Sequence, residues 1–231
     1  MKRYFIQIKI ILYLSIVLLL INIGPLSRSE AAGVPTLREI KVVANSKELI
    51  GVANSANEGT VLKQQLDLRT VYRPGELLET VPGLIVTQHS GEGKANQYYL
   101  RGFNLDHGTD LRISVDGMLV NQRSHGHGQG WADTNFIIPE LTSSLQYQKG
   151  PYYADQGDFS SAGAIHMGYA DTLPKGILSY GIGQQGFMRG LIAKSHQVGN
   201  GNVLYATELL TKDGPWIKHE DFNKFNSVLR Y

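Results

Sequence analysis

The chain has 231 residues, 22 Lys+Arg against 20 Asp+Glu for a formal net charge of +2, and no cysteine. Without cysteine, disulfides and thiolate metal sites are excluded, so stability has to come from packing and strand pairing. The near balance of charge gives no sign of the basic patch or stripe that a nucleic-acid partner favours, while 26 glycines, against an average usage near ~7%, favour a β-rich chain with many turns.

In chain order the first segment reads as a leader. Lys2, Arg3 and Lys9 make a positive start, and residues 10–21 are almost wholly apolar. That run fits the ~7–15 residues of a signal-peptide core and falls short of the roughly 20 that a membrane-spanning helix needs. Ser29 and Ala31 have the small-x-small spacing of a peptidase site. Residues 1–31 are therefore expected to be a signal peptide cleaved after Ala31, with an uncleaved N-terminal anchor as the competing reading. Lys2, Arg3, Lys9 and Arg28 outweigh Glu30 in this leader, so its removal leaves the remainder slightly negative.

An apolar island, Ile40, Lys41, Val42, Val43 and Ala44, precedes a small, polar stretch as far as Asn57 that reads as flexible. A strand is expected over residues 60–68. Pro74 and Glu76 start a short helix and Pro82-Gly83 stops it, with Leu77, Leu78 and Val81 on one side. So short a helix has to pack on a sheet. Residues 84–87 and 97–102 read as strands around a polar loop, and residues 104–110 as a second loop. Leu111-Arg112-Ile113-Ser114-Val115 alternates apolar and polar as a half-buried strand does. Asp116-Gly117, the pair favoured in a type I′ hairpin, turns it back along residues 118–120. Residues 121–130 form a Gly/His loop, and Pro139-Glu140 opens a helical turn. Residues 145–149 make a strand closed by Gly150-Pro151, residues 155–163 a loop, and residues 164–169 a final strand. Residues 74–169 thus read as an α+β domain with short helices and long loops.

From Lys175 the texture changes. Leu178, Tyr180 and Ile182 alternate with Ser179, Gly181 and Gly183; Val203, Tyr205 and Leu209 alternate with residues including Glu208; Phe225, Leu229 and Tyr231 alternate with Lys224, Asn226 and Arg230. Turn signals at Gln184-Gln185-Gly186, Gly199-Asn200-Gly201 and Asp213-Gly214-Pro215 separate the runs, and residues 190–198 are less regular but long enough for a strand. The pattern suits strands of a membrane barrel, and periodicity alone equally allows a soluble antiparallel sheet.

The order of these motifs resembles the plug domain of TonB-dependent outer-membrane receptors over residues 40–170. The resemblance is carried by Glu39-Ile40-Lys41-Val42-Val43-Ala44, by Gly75-Glu76-Leu77-Leu78-Glu79-Thr80-Val81-Pro82-Gly83-Leu84-Ile85-Val86, and by Tyr99-Leu100-Arg101-Gly102-Phe103. Val115-Asp116-Gly117-Met118, Gln148-Lys149-Gly150-Pro151 and Ser161-Ala162-Gly163-Ala164-Ile165 complete it. It implies an α+β plug domain, a mixed small sheet with short helices, followed by antiparallel strands of an incomplete, roughly 22-stranded transmembrane barrel. The domain division it implies is a signal peptide at 1–31, a TonB box and flexible segment at 32–58, a plug at 59–171, and about four barrel strands at 175–231.

The implied function is energised uptake of a scarce nutrient, such as a ferric siderophore or another metal chelate, at the cell outer membrane. The implied partners are TonB with its inner-membrane complex and a small extracellular ligand. Ile40, Lys41, Val42, Val43 and Ala44 would be the TonB box, an extended segment that pairs with its partner as an added strand; an ordinary first plug strand wants the same residue types. Four strands leave open edges, whose unpaired backbone costs several kcal/mol per group in hydrocarbon, so the chain as it stands is expected to be a truncated form incompetent for transport alone.

His107, His125 and His127 lie in expected loops with Asp106 and Asp110 nearby, and are the candidate ligand-contacting residues. Imidazoles and carboxylates can bind a metal or a metal chelate, although His-x-His without a placed third ligand is a weak metal signal and a Gly/His loop also serves backbone shape. Arg101 is the candidate latch between plug and barrel, with an ion pair inside the plug as the alternative. Trp131, Tyr152, Tyr153 and Phe159 can stack on a ligand or fill the core. No catalytic signature stands out: there is no His-Glu-x-x-His and no Gly-x-Ser-x-Gly, so neither an enzyme nor a resident cofactor is expected. A soluble periplasmic plug-like binding module, or a metal-binding protein using the His/Gly loop, is the alternative function.

Overall fold

The computed structural model describes residues 53, 55–89 and 91–231; the expected leader, the expected TonB box at residues 40–44 and most of the expected flexible segment lie outside them. The first strand, β1 (Glu58–Leu62), is followed at once by a one-turn helix, α1 (Lys63–Asp67). The strand expected over 60–68 is therefore shorter. Lys63-Gln64-Gln65-Leu66 are good helix formers without β-branching, Lys63 Nζ reaches Asp67 Oδ1 at 2.6 Å one turn on, and Leu66 is buried.

The helix expected at Pro74 is a 3₁₀ helix, Pro74–Thr80. Pro74 occupies its first turn, and Glu76 accepts hydrogen bonds from the backbone N–H groups of Tyr72 (2.9 Å) and Arg73 (3.2 Å). Leu77, Leu78 and Val81 are all buried. β2 (Leu84–Thr87), β3 (Gln97–Leu100) and β4 (Phe103–Asn104) form a three-stranded antiparallel sheet. β3 ends two residues earlier than expected, because Arg101 (φ 54°) and Gly102 (φ 80°) form a tight turn into β4.

β5 (Leu111–Val115) and β6 (Met118–Leu119) make the expected hairpin, with positive φ at Asp116 (48°) and Gly117 (79°) as a type I′ turn requires. A 3₁₀ turn, Pro139–Leu141, leads into β7 (Thr142–Lys149), and β8 (Gly163–Tyr169) closes the domain. These strands form one mixed sheet in the order β1-β7-β8-β5-β6, with β5 and β8 parallel and every other pair antiparallel. Its core runs from Val61 and Leu66 through Leu77, Leu78 and Tyr98 to Leu111, Ile113, Leu145 and Ile165.

β9 (Ile177–Ile182), β10 (Met188–Val198), β11 (Gly201–Lys212) and β12 (Phe222–Arg230) form a four-stranded antiparallel meander. Its two faces differ. Leu191, Ala193, Leu204 and Ala206 point inward and pack on Ile138 and Leu141 of the plug, forming a second core. On the other face Leu178 (85% exposed), Tyr180, Ile182, Phe225 and Leu229 (79%) point away from it. The sheet is open at β9 and β12, and the described residues close no barrel.

Candidate functional site

The loops at one end of the mixed sheet are joined at their base by a buried amide. Asn121, at the end of the β5–β6 hairpin, donates through Nδ2 to the carbonyls of Gly108 (2.8 Å), Leu111 (2.9 Å) and Gly130 (3.0 Å). Its Oδ1 accepts the N–H of Ile113 at 2.7 Å. Residues 107–111 and 121–131 are thereby stitched into one unit. Gly108 sits at φ +114°, and a Cβ there would lie 2.8 Å from Cβ of Ala132, so only glycine lets the two loops meet. Arg123 paired with Asp158 at 3.0 Å, and Thr109 Oγ1 donating to Gln129 O at 3.0 Å, hold the outer part of the Gly/His loop.

The three candidate histidines come together on this unit, around Trp131. The His125 ring stacks on the indole at 4.4 Å and 15°; His107 and His127 lie 4.5 and 4.9 Å from it. The rings of His107 and His127 are 4.7 Å apart. His107 is buried, and its Nδ1 lies 3.1 Å from the Ala95 carbonyl and 3.0 Å from that of Asn96. Carbonyls only accept, so Nδ1 carries the proton and Nε2 presents its lone pair. That Nε2 is 3.6 Å from Asp106 Oδ1, too far for a good hydrogen bond. Asp106, His107 and His127 place their ligand atoms within 4.8 Å of one another. His125 is committed differently: its Nδ1 accepts the His127 N–H at 3.2 Å. Asp110 is also elsewhere, accepting from the Ser161 hydroxyl.

His89, a residue the sequence did not single out, joins the group with its ring 4.9 Å from His107. It lines a cleft of about 640 Å³ between plug and meander, together with Arg73, Glu92, Phe187, Lys212 and Trp216. Only the fold brings residue 89 to residue 107, so no local spacing could reveal it. Of the four candidate aromatics, Trp131 alone stands within the histidine cluster. Tyr153 and Phe159 line a separate shallow pocket with Ser160 and Ser161, and Tyr152 is exposed.

Arg101 occupies the β3–β4 turn, donating from Nη2 to Asn57 Oδ1 at 2.5 Å and from its backbone to Gly83 O at 2.8 Å. The plug–strand ion pairs among the described residues lie elsewhere, and with the opposite polarity in their most buried member. Arg189 of β10 holds Glu140 of the plug through two hydrogen bonds (2.6 and 2.9 Å) and Glu208 of β11 at 2.6 Å. Lys224 and Asn226 complete the environment of the buried Glu208 at 3.0 and 2.9 Å. Burial alone would raise the Glu140 carboxyl, but the Arg189 guanidinium overrides it and holds the group below its ordinary value. Asp116 with Arg230 (2.7 Å) and Glu92 with Lys212 (2.6 Å) add two further links.

Among the described residues a Ser–His contact occurs where the Ser114 hydroxyl lies 2.6 Å from His166 Nδ1, and His166 Nε2 lies 2.7 Å from Gln156 Oε1. Burial, followed by the nearby Arg112 charge, lowers the His166 pKa. Ser114 is buried under the sheet, and an amide rather than a carboxylate meets the far nitrogen, so the pair bridges β5 and β8 without the arrangement of a nucleophile and its base.

A family model described as the TonB-dependent receptor plug domain matches residues 53–164. Two proteins of Vibrio vulnificus, each named vitamin B12 transporter BtuB, are similar in sequence. The one from strain YJ016 is 27% identical over 143 residues, which is 62% of this chain and 22% of the relative. The one from strain CMCP6 is 25% identical over 182 residues, 78% of this chain and 29% of the relative. The chain thus spans less than a third of the length of these relatives. Among solved structures, the ferric enterobactin receptor PfeA aligns with a TM-score of 0.53 at 16% identity, over 69% of this chain and 25% of that one. The copper transporter OprC aligns at 0.51 and 20%, over 71% and 25%. FpvA of P. aeruginosa aligns at 0.55 and 18%, over 71% and 21%. These structural likenesses speak to the fold, which they share with the mixed sheet and the strands that follow it. Residues 53–164 thus match the TonB-dependent receptor plug domain, and over that domain the chain resembles receptors of this kind.

Proposed function

We propose that this chain serves an outer-membrane receptor that takes up a scarce nutrient, a metal chelate or a metal, with energy delivered by TonB. Residues 1–31 act as the export signal, residues 32–58 carry the TonB box and a flexible leash, residues 59–171 are the plug, and residues 175–231 are the first strands of a barrel wall. The observation that carries the reading is the pairing of a plug domain with a meander whose inner face is built on that plug and whose outer face exposes Leu178, Tyr180, Ile182, Phe225 and Leu229. A strand set apolar outside and polar or plug-facing inside suits a lipid boundary; a free periplasmic module would leave that face in water. The relatives are named for unlike cargoes, cobalamin, ferric enterobactin and copper, so they support the receptor class and leave the cargo to this chain's own loops. His107, His125 and His127, gathered around Trp131, are the ligand-contacting group in this reading.

The chain has no cysteine of its own, so Val42→Cys supplies a unique probe of the TonB box. The receptor reading expects outer-membrane fractionation and a disulfide between residue 42 and a cysteine-bearing TonB C-terminal domain. Recovery in the soluble periplasmic fraction with no cross-link would overturn it.

A further inference from the structure

The histidine cluster has more order than contact with a bulky chelate requires. Its central ligand is set in advance: His107 is 4% exposed, and two backbone carbonyls fix its ring and its tautomer, leaving Nε2 as the free nitrogen. Metal-bound histidines are commonly held in this way, with the second nitrogen donating to a carbonyl or carboxylate. The other two members are at the surface. Asp106 and His127 are exposed and sit on loops whose backbones are pinned, by Asn121 on one side and by the Arg123–Asp158 pair on the other. Bonds of about 2.0–2.2 Å to imidazole and carboxylate bring ligand atoms closer together than the present 4.8 Å limit, a movement within reach of rotation of two surface side chains. The Trp131 ring walls one side of the cluster.

We propose that Asp106, His107 and His127 form a three-ligand site for a bare divalent transition-metal ion of the imidazole-preferring kind, Zn(II) or Ni(II), taken as cargo. This rests on the receptor reading above and narrows its substrate to the ion itself. Two imidazoles and one carboxylate suit such ions and suit neither Ca(II) nor Mg(II), which take oxygen ligands. Three protein ligands leave a coordination position open, as an ion that has to be accepted and released requires. His89, 4.9 Å from His107 and on the wall of the 640 Å³ cleft, is the next imidazole available to it. His125 stands outside the ligand set, because its Nδ1 is occupied by the His127 N–H and its ring lies on Trp131.

The test is titration of the full chain in detergent with ZnCl₂ and NiCl₂, followed by calorimetry, with circular dichroism on every variant. One ion should bind per chain. Asp106→Asn and His127→Ala, both at the surface, should each weaken binding by about tenfold or more while leaving the spectrum unchanged, whereas His196→Ala, on the strand meander, should not alter it. X-ray absorption of the zinc-loaded chain should show two imidazoles in the first shell. Absence of binding, or binding that both variants retain, overturns the proposal. The cross-link at residue 42 reads the receptor assignment separately: a chain that reaches TonB but ignores Zn(II) and Ni(II) retains the receptor and loses the ion.

Discussion

Asn121 carries more of the loop architecture than any other side chain near the cluster. Its amide satisfies three carbonyls and one N–H in a site that is itself 3% exposed. Truncating it removes a partner from each of those groups, of which the Gly108 carbonyl keeps the Leu111 N–H at 3.2 Å, at about 1–3 kcal/mol for each that is left unpaired and that water cannot reach. Asn121→Ala is therefore expected to cost about 3–5 kcal/mol, read as a lower denaturation midpoint with an unchanged slope. Asp at the same position should fare no better, since it keeps the acceptor for Ile113 but replaces the donor to three carbonyls. The turn at Arg101 shows a different economy. Its positive φ is costly for a side-chain-bearing residue, and it is held there by bonds to Gly83 and Asn57. Arginine in a left-handed turn has no local signature, which is why the sequence suggested a strand running through it. The Asp116-Gly117 turn, with the same φ signs, was legible because both residues tolerate them.

The elements written by local chemistry were legible, and those written by distant contacts were not. β2, the β5–β6 hairpin and the meander strands β9, β11 and β12 follow from alternation and turn residues within a few positions of each other, and the less regular β10 from its length between two turn signals. The end of β1 and the 3₁₀ form of Pro74–Thr80 depend on finer preferences. The link between the Pro139–Leu141 turn and β10 joins Glu140 to Arg189, 49 residues away, and nothing in either segment names the other. That link carries a pH dependence. The Glu140 carboxyl lies below its ordinary 4.5 in the folded chain, so at neutral pH it contributes stability. This contribution persists above pH 4.5 and is lost as the pH falls through the lowered folded value, because the unfolded chain takes up the proton first. Glu140→Gln should remove this acid-sensitive component from the melting curve. At neutral pH it should cost about 1–3 kcal/mol, because Arg189 keeps Glu208 as its partner. An acid profile identical to the parent's would show that other carboxylates govern that limb.

At the scale of the molecule, two apolar surfaces compete for explanation. One is internal, where Ile138 and Leu141 meet Leu191, Ala193, Leu204 and Ala206; it makes the plug and the meander a single packed body. The other faces outward, and its residues touch neither core. Leu178 on β9 and Leu229 on β12 are 85% and 79% exposed, so arginine at both positions disturbs no packing. In water such a replacement is neutral or improves solubility. Against lipid it costs about 2–4 kcal/mol per charge near the bilayer midplane and less toward the interfaces. The double variant Leu178→Arg plus Leu229→Arg is therefore expected to fold in detergent with the parent's denaturation midpoint and yet to be depleted from the outer-membrane fraction of cells. Equal recovery of parent and variant in that fraction would mean that the outward face does not meet lipid, and the meander would then have to be covered by protein instead.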